Sequence, residues 1–299
     1  MAKEIAWELC RSFLAVLQEG SLSGAARALN LAQPTVGRHI GALEKALGAG
    51  LFTRSHSGLL PTEAALGLRP FAEGMSNNAA ALARAAESQG KGIGGTVRVT
   101  ASEVVGAEVL PPVVAQLRAD YPELKLELVL TNRVQDLLRH EADIAVRMAP
   151  PRQQSLIARR VGQVELGLHA HQRYLERNGT PRTPADLPQH ALIGFDVETP
   201  FLRAASKALP VWQRAVFALR TDSDLAQLAL IRSGAGIGVC HVALARRDSA
   251  LVRVLPRHFR LSLDTWLTMH EDLRAAPRCQ VTFGALLKGL ERYINVVSA

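Results

Sequence analysis

The side chains with the most chemistry to offer lie close together near the N-terminus. Gln33, Thr35, Arg38 and His39 surround Pro34 at spacings that put them all in the first two turns of one helix. Pro34 suits that place, because a proline's missing N–H is no loss in a first helical turn. An amide, a hydroxyl, a guanidinium and an imidazole on one exposed helix end are groups that read base edges. Arg38 could take both acceptors of a guanine, and Thr35 could meet a thymine methyl or a phosphate. Arg27 and Arg54 are candidate phosphate contacts, which set affinity and register but not sequence. Over residues 23–61, Arg27, Arg38, Lys45 and Arg54 face a single acid, Glu44. The alternative for the same segment is a small helical bundle with a solvated polar face.

The elements needed to hold such a cluster can be read from the pattern. Leu9, Phe13, Val16 and Leu17 form one apolar stripe and Val36, Ile40, Leu43 and Leu47 another, which predicts two amphipathic helices. A short Ala-rich helix over 23–29 lies between them, with Gly20-Ser21 closing the first helix and Asn30-Leu31 the second. Residues 51–61, with Ser55-His56-Ser57-Gly58 at the tip, read as a β-hairpin. Thr62 is the expected N-cap of a helix reaching about residue 86, kinked at Pro70, whose small side chains suit pairing with a second copy. Residues 90–95 are glycine-rich and read as a flexible boundary. Beyond them strands at 96–101, 124–130 and 143–147 alternate with helices at 111–120 and 134–141, which predicts an α/β domain with a largely parallel sheet. Strands at 165–169, 191–195, 236–240 and 263–270 and helices at 224–234 and 278–293 continue the pattern.

Composition sets bounds on this reading. The 299 residues are 48% hydrophobic and 21% charged, with a formal net charge of +8 and a pI near 9.9, which fits two or three folded units and favours anionic partners. Cys10, Cys240 and Cys279 are widely spaced and odd in number, so neither a disulfide framework nor a zinc site is indicated. Cys240 ends an apolar run and reads as buried and inert, not as a redox sensor. His169 and His171 lack a third ligand at metal-site spacing, and no dinucleotide or phosphate-binding glycine loop occurs. No metal, cofactor or catalytic nucleophile is expected. The N-terminus lacks a signal-peptide pattern and no apolar run is long enough to span a bilayer, so a cytoplasmic protein without membrane attachment is expected.

The segments Phe13 to Leu29, Ala32 to Gly48, Leu51-Phe-Thr-Arg54 and Pro61-Thr-Glu-Ala64 resemble the winged helix of LysR-type transcriptional regulators. Weaker similarity runs on through Leu110-Pro111, Asp120-Tyr-Pro-Glu123, Ala142-Asp-Ile-Ala-Val-Arg147, Tyr174 to Pro181 and Gly234-Ala-Gly-Ile-Gly238. The resemblance implies an α/β protein with an N-terminal winged helix-turn-helix over 1–61, a long linker and dimerisation helix with a hinge over 62–92, and a two-lobed, periplasmic-binding-protein-like effector domain over 93–299. Lobe I would take about 93–164 and 270–299, and lobe II about 165–269. It implies double-stranded promoter DNA, a small-molecule effector and RNA polymerase as partners, with homodimers assembling into a homotetramer. By position Gln33, Thr35, Arg38 and Arg54 match the family's DNA contacts. The chain departs from the family at Ala32, where a serine usually caps the helix, a loss of about 1 kcal/mol. It departs again at Gly37 and in a less basic wing.

In open α/β lobes a ligand sits at the carboxyl ends of strands, against helix N-termini. Thr100, Ser102, Thr131, Arg147, Phe195 and Ser223 occupy such positions. Hydroxyls with Arg147 suggest a small organic anion such as a carboxylate. Each hydroxyl would serve equally well as a helix cap, and Arg147 could instead pair with Asp143 or face solvent. Two rivals are a ligand-independent architectural DNA-binding protein and an enzyme or solute binder built on the same two-lobed fold.

Overall fold

A computed structural model describes residues 5–55, 58–86, 93–132, 141–151 and 156–295. The chain divides into two compact units, one built on residues 1–89 and the other on residues 90–137 and 142–299.

In the first unit α1 (Trp7–Glu19), α2 (Leu22–Leu29) and α3 (Gln33–Leu47) precede a hairpin of β1 (Phe52–Ser55) and β2 (Gly58–Pro61), and α4 (Glu63–Ala86) follows. The apolar stripes are what fold it. Phe13, Val16, Ala25, Val36, Ile40 and Leu43 close on Leu51, with Leu9, Leu17 and Leu47 at the margin. Each large side chain buried this way stabilises by about 1.5–3 kcal/mol. The helix ends have local causes. Gly20 (φ 65) and Asn30 (φ 55) take the left-handed conformation that stops α1 and α2, and Ser21 accepts the N–H of Gly24 at 3.1 Å to open α2. Thr62 accepts from Ala65 N at 3.2 Å and caps α4, which continues through Pro70 as one helix of 24 residues. The hairpin is tied to the helices: Leu59 N donates to Gly20 O at 2.8 Å. Gly58 is needed there, since its φ is +128 and a Cβ would lie 2.6 Å from that same oxygen.

The second unit opens with β3 (Gly95–Ala101), α5 (Glu103–Glu108), α6 (Leu110–Asp120), β4 (Leu124–Leu130) and β5 (Ile144–Arg147). It continues with β6 (Leu156–His171), α7 (Gln172–Asn178), β7 (Leu192–Gly194), α8 (Pro200–Ala208), β8 (Phe217–Arg220) and α9 (Asp224–Arg232). β9 (Gly238–His241), α10 (Val242–Ala245), β10 (Leu251–Val254), β11 (Leu261–His270) and α11 (Pro277–Asn295) complete it. The main sheet runs β4-β3-β5-β11-β6-β10, with β9 also on β6. The expectation of a largely parallel sheet is corrected. β3 is parallel to β4 and β5, and β7 to β8, but β11 is antiparallel to β5 and β6, and β9 and β10 are antiparallel to β6.

β6 and β11 are long and shared between two lobes. They pair along nearly their whole length, with a register shift between Thr265 and Trp266 close to Gly162. β6 begins at Leu156 and not at the expected 165, because Arg159, Arg160 and Gln163 break the apolar run that the sequence pattern follows. One core, around Val97, Val99, Leu110, Leu117, Ile144, Leu286 and Leu290, holds α6 and α11 on the parallel strands. A second gathers Leu168, Leu187, Leu192, Trp212, Phe217 and Phe259, with Trp212 edge-on to Phe217 at 5.1 Å. The helix expected at 134–141 falls outside the described residues apart from Glu141. No helix among the described residues is long and apolar enough to cross a membrane.

Candidate functional site

In the first unit α3 presents the expected cluster. Gln33, Pro34 and Arg38 are exposed and Thr35 is half-buried, while Val36 and Ile40 on the opposite side anchor the helix in the core. Arg38 Nη2 donates to Thr35 Oγ1 at 3.4 Å, so the two polar groups lie on one turn. Ala32 occupies the N-cap position in extended conformation with no side-chain hydrogen bond, and Pro34 opens the helix. Arg27, in the last turn of α2, and Arg54, on β1, are exposed. His39 departs from the expectation. Its Nδ1 lies 2.7 Å from the hydroxyl of Ser12 on α1, which is 1% exposed, so this ring nitrogen braces α3 against α1.

Sequence reasoning missed what Glu44 does. Its Oε1 accepts from Leu51 N at 2.7 Å and from Phe52 N at 3.4 Å, so it satisfies the backbone at the entry to β1. The lone acid of residues 23–61 is thereby committed to the hairpin backbone. The glutamate seven residues before Leu51 gave no pattern that could have shown this.

In the second unit side chains at several strand ends and helix N-termini contact one another. The hydroxyl of Thr100, fully buried, donates to Val129 O at 3.0 Å and accepts from Arg147 Nη2 at 2.7 Å. The Thr100 hydroxyl is thus engaged within the fold, and Arg147 also donates to Thr131 O at 2.7 Å. Asp143, the other partner considered for Arg147, accepts instead from Arg98 N at 2.8 Å. Ser102 sits at the start of α5 and its side chain makes no capping bond. Phe195 packs edge-on against Phe201 with ring centres 5.7 Å apart. Ser223 caps α9, accepting from Ala226 N at 3.4 Å, and donates to Glu103 Oε2 at 3.1 Å.

Three residues that sequence reasoning did not single out join the two lobes. Asn132 accepts from Glu103 N at 3.2 Å and donates to Asp224 Oδ2 at 2.7 Å. Glu108 takes a bidentate pair from Arg232 at 2.6 and 2.9 Å, and that guanidinium holds its carboxyl below the usual range. Asp224 lies in the first turn of α9. Burial and the nearby Glu103 push its pKa up to about 6, against the opposing pull of Asn132. Asp222 accepts from Asp196 N and Val197 N at 3.1 and 2.9 Å. These partners lie 25 to 124 residues apart, so no local signal marks them.

The remaining candidates have structural places. His169 is buried with Nδ1 3.0 Å from Gly167 O, and burial lowers its pKa to about 4. His171 accepts from Arg173 N at 3.1 Å. Among the described residues no group of three or more His, Cys, Asp or Glu could hold a metal ion. Cys240 is buried and its thiol is pushed up to about 12.

Residues 7–66 match the profile of the bacterial regulatory helix-turn-helix protein, lysR family, and residues 90–291 match the LysR substrate binding domain. The chain belongs to the LysR family of transcriptional regulators. An HTH-type transcriptional regulator of Xanthomonas campestris pv. campestris is 31% identical over 183 residues, 61% of this chain. The match spans 53% of that relative's length, about half. A probable HTH-type transcriptional regulator, LtrA, of Klebsiella pneumoniae is 26% identical over 271 residues, 87% of each chain. Full-length CbnR, crystallised with its target DNA, shares the fold at a TM-score of 0.66 and 20% identity, covering 96% of this chain and 99% of CbnR.

Proposed function

We propose that this LysR-family chain is a sequence-specific DNA-binding regulator of transcription whose activity is set by a small organic anion held between its two lobes. The observation that carries the DNA reading is the N-terminal end of α3, where Gln33, Pro34 and Arg38 are exposed and Thr35 is half-buried, with Arg27 on α2 and Arg54 on β1 exposed as well. That CbnR was crystallised with its target DNA supports the same use of this unit. Homodimers form through α4, on which Phe71, Met75 and Leu82 share one face and are 66%, 38% and 74% exposed. Tetramers on promoter DNA and contact with RNA polymerase follow from the family reading, as does a cytoplasmic location. The DNA reading is tested by selecting bound sequences from a random duplex pool with purified protein. A defined, two-fold-related motif is expected, and recovery of unrelated sequences would contradict it.

The cleft refines the effector class. Arg147 and the uncommitted hydroxyl of Ser102 suit a carboxylate, while Asp224 and Glu103 can accept from a hydroxyl or amino group. A hydroxy- or amino-substituted carboxylate satisfies both sides. Calorimetric titration with a panel of substituted and plain carboxylates should show at least tenfold preference for the substituted ones, lost in Asp224→Ala. Indifference to the substituent would overturn this assignment. The effector acts only through unequal affinity for two arrangements of the lobes, since equal affinity shifts nothing.

A further inference from the structure

A concavity lies between α6 and α11, with Arg247, which follows α10, at its edge. It encloses about 620 Å³, within the size range of small-ligand sites. Val109, Val113, Leu117, Val281 and Ala285 line its apolar part. Two glycines of α11 shape it. Gly289 lets the helices close, since a Cβ there would lie 2.3 Å from a methyl of Val113. Gly284, also in the lining, has open space where a Cβ would stand, so a side chain at this position would project into the groove without a clash.

The charges around it are one-sided. Arg247, Lys288 and Arg292 line the groove against one acid, Asp120. Lys288 and Arg292 are exposed, one turn apart on α11, and neither makes a hydrogen bond or ion pair with a described residue. Arg247 lies over the ring of Tyr293 at 5.1 Å and donates to Glu108 O at 3.2 Å. We propose that this groove is an accessory site for a small amphipathic organic anion, with its carboxylate or sulfonate among Arg247, Lys288 and Arg292 and its apolar body over Gly284 and Ala285. The site is distinct from the cleft and does not rest on the effector proposed there. Glu108 carries the bidentate pair with Arg232, so Arg247 stands one residue away from a contact that joins α9 to α5. Occupancy is thereby placed to bias the same lobe arrangement.

The test uses the full-length protein with two probes, octanoate by calorimetry and 1-anilinonaphthalene-8-sulfonate by fluorescence. Gly284→Leu fills the groove at a helical position with free space, and Lys288→Glu with Arg292→Glu reverses two exposed charges. Each is expected to weaken both probes at least tenfold, while Lys207→Glu, which reverses an exposed charge on α8 outside the groove, leaves them unchanged. Circular dichroism and thermal melting confirm that the variants fold. Wild-type probe affinity in both groove variants would overturn the site. So would a change in oligomeric state, by sedimentation, without any loss of probe binding, which would make the groove a contact between copies of the chain.

Discussion

Replacing Asp224 by Asn tests the cleft as a set of charges and not merely as a shape. Asp224 ionises near 6 in the folded protein against 3.8 for an unperturbed aspartate, because it is buried beside Glu103. The folded state therefore holds its proton more tightly than the unfolded state. Stability is lost as pH rises from the lower value through the higher, and levels off above it. About two pK units at about 1.4 kcal/mol each give a penalty of about 3 kcal/mol at neutral pH, of which about 2 develops between pH 4 and pH 7. The amide of Asp224→Asn keeps an oxygen for the donor of Asn132 and carries no charge, so the variant escapes the penalty. Thermal melting of wild type and variant at pH 4.5, 6 and 7.5 should show curves that draw apart as pH rises, with the variant the more stable at pH 7.5. Parallel curves, or a variant less stable than wild type at pH 7.5, would refute the argument that burial and Glu103 destabilise this carboxylate.

Three further outcomes follow from individual residues. Ala32→Ser places a hydroxyl at an N-cap that already has extended geometry and should stabilise the first unit by about 1 kcal/mol, seen as a rise in its melting temperature of several degrees. Glu44→Ala strips the acceptor from Leu51 N and should cost about 1–3 kcal/mol in urea unfolding, with weaker DNA binding because the hairpin loses its tether. Cys240, with its thiol pushed up to about 12, should resist iodoacetamide at pH 8 in the native protein and react once the chain is unfolded. Peptide mass spectrometry reads that directly, and rapid native labelling would show that the thiol is not sealed in the core.

The two units were legible to different depths, for a physical reason. In the first, helices are short and consecutive, so the stripes through Phe13 and Val36 and the stops at Gly20 and Asn30 act within a few residues of where they are written. The exposed end of α3 followed from the same periodicity. The bracing contact of His39 was not legible because an imidazole at a helix margin can turn either way, and its Nδ1 partner, Ser12, stands 27 residues earlier. In the second unit local patterns gave most elements but not strand direction, since the period of a strand is the same in parallel and antiparallel ladders. That is why β11 returning antiparallel beside β5 was missed. The effector site was expected at strand ends from position alone, whereas pairs such as Glu108 with Arg232, separated by 124 residues, carry no local signal. Thr100 shows the converse. A hydroxyl at a strand end reads as a ligand contact, yet here Arg147 and Val129 already engage it within the fold.

The central claim is that the exposed end of α3 reads sequence, and a specificity ratio measures it most directly. The dissociation constants of wild type and Arg38→Ala should be determined at one fixed salt concentration for the selected motif and for a scrambled duplex of equal length. Loss of a bidentate base contact is worth about 1–3 kcal/mol. The ratio should therefore fall about five- to 150-fold in Arg38→Ala, with affinity for the scrambled duplex nearly unchanged. An unchanged ratio would contradict the assignment of α3 as the reading helix.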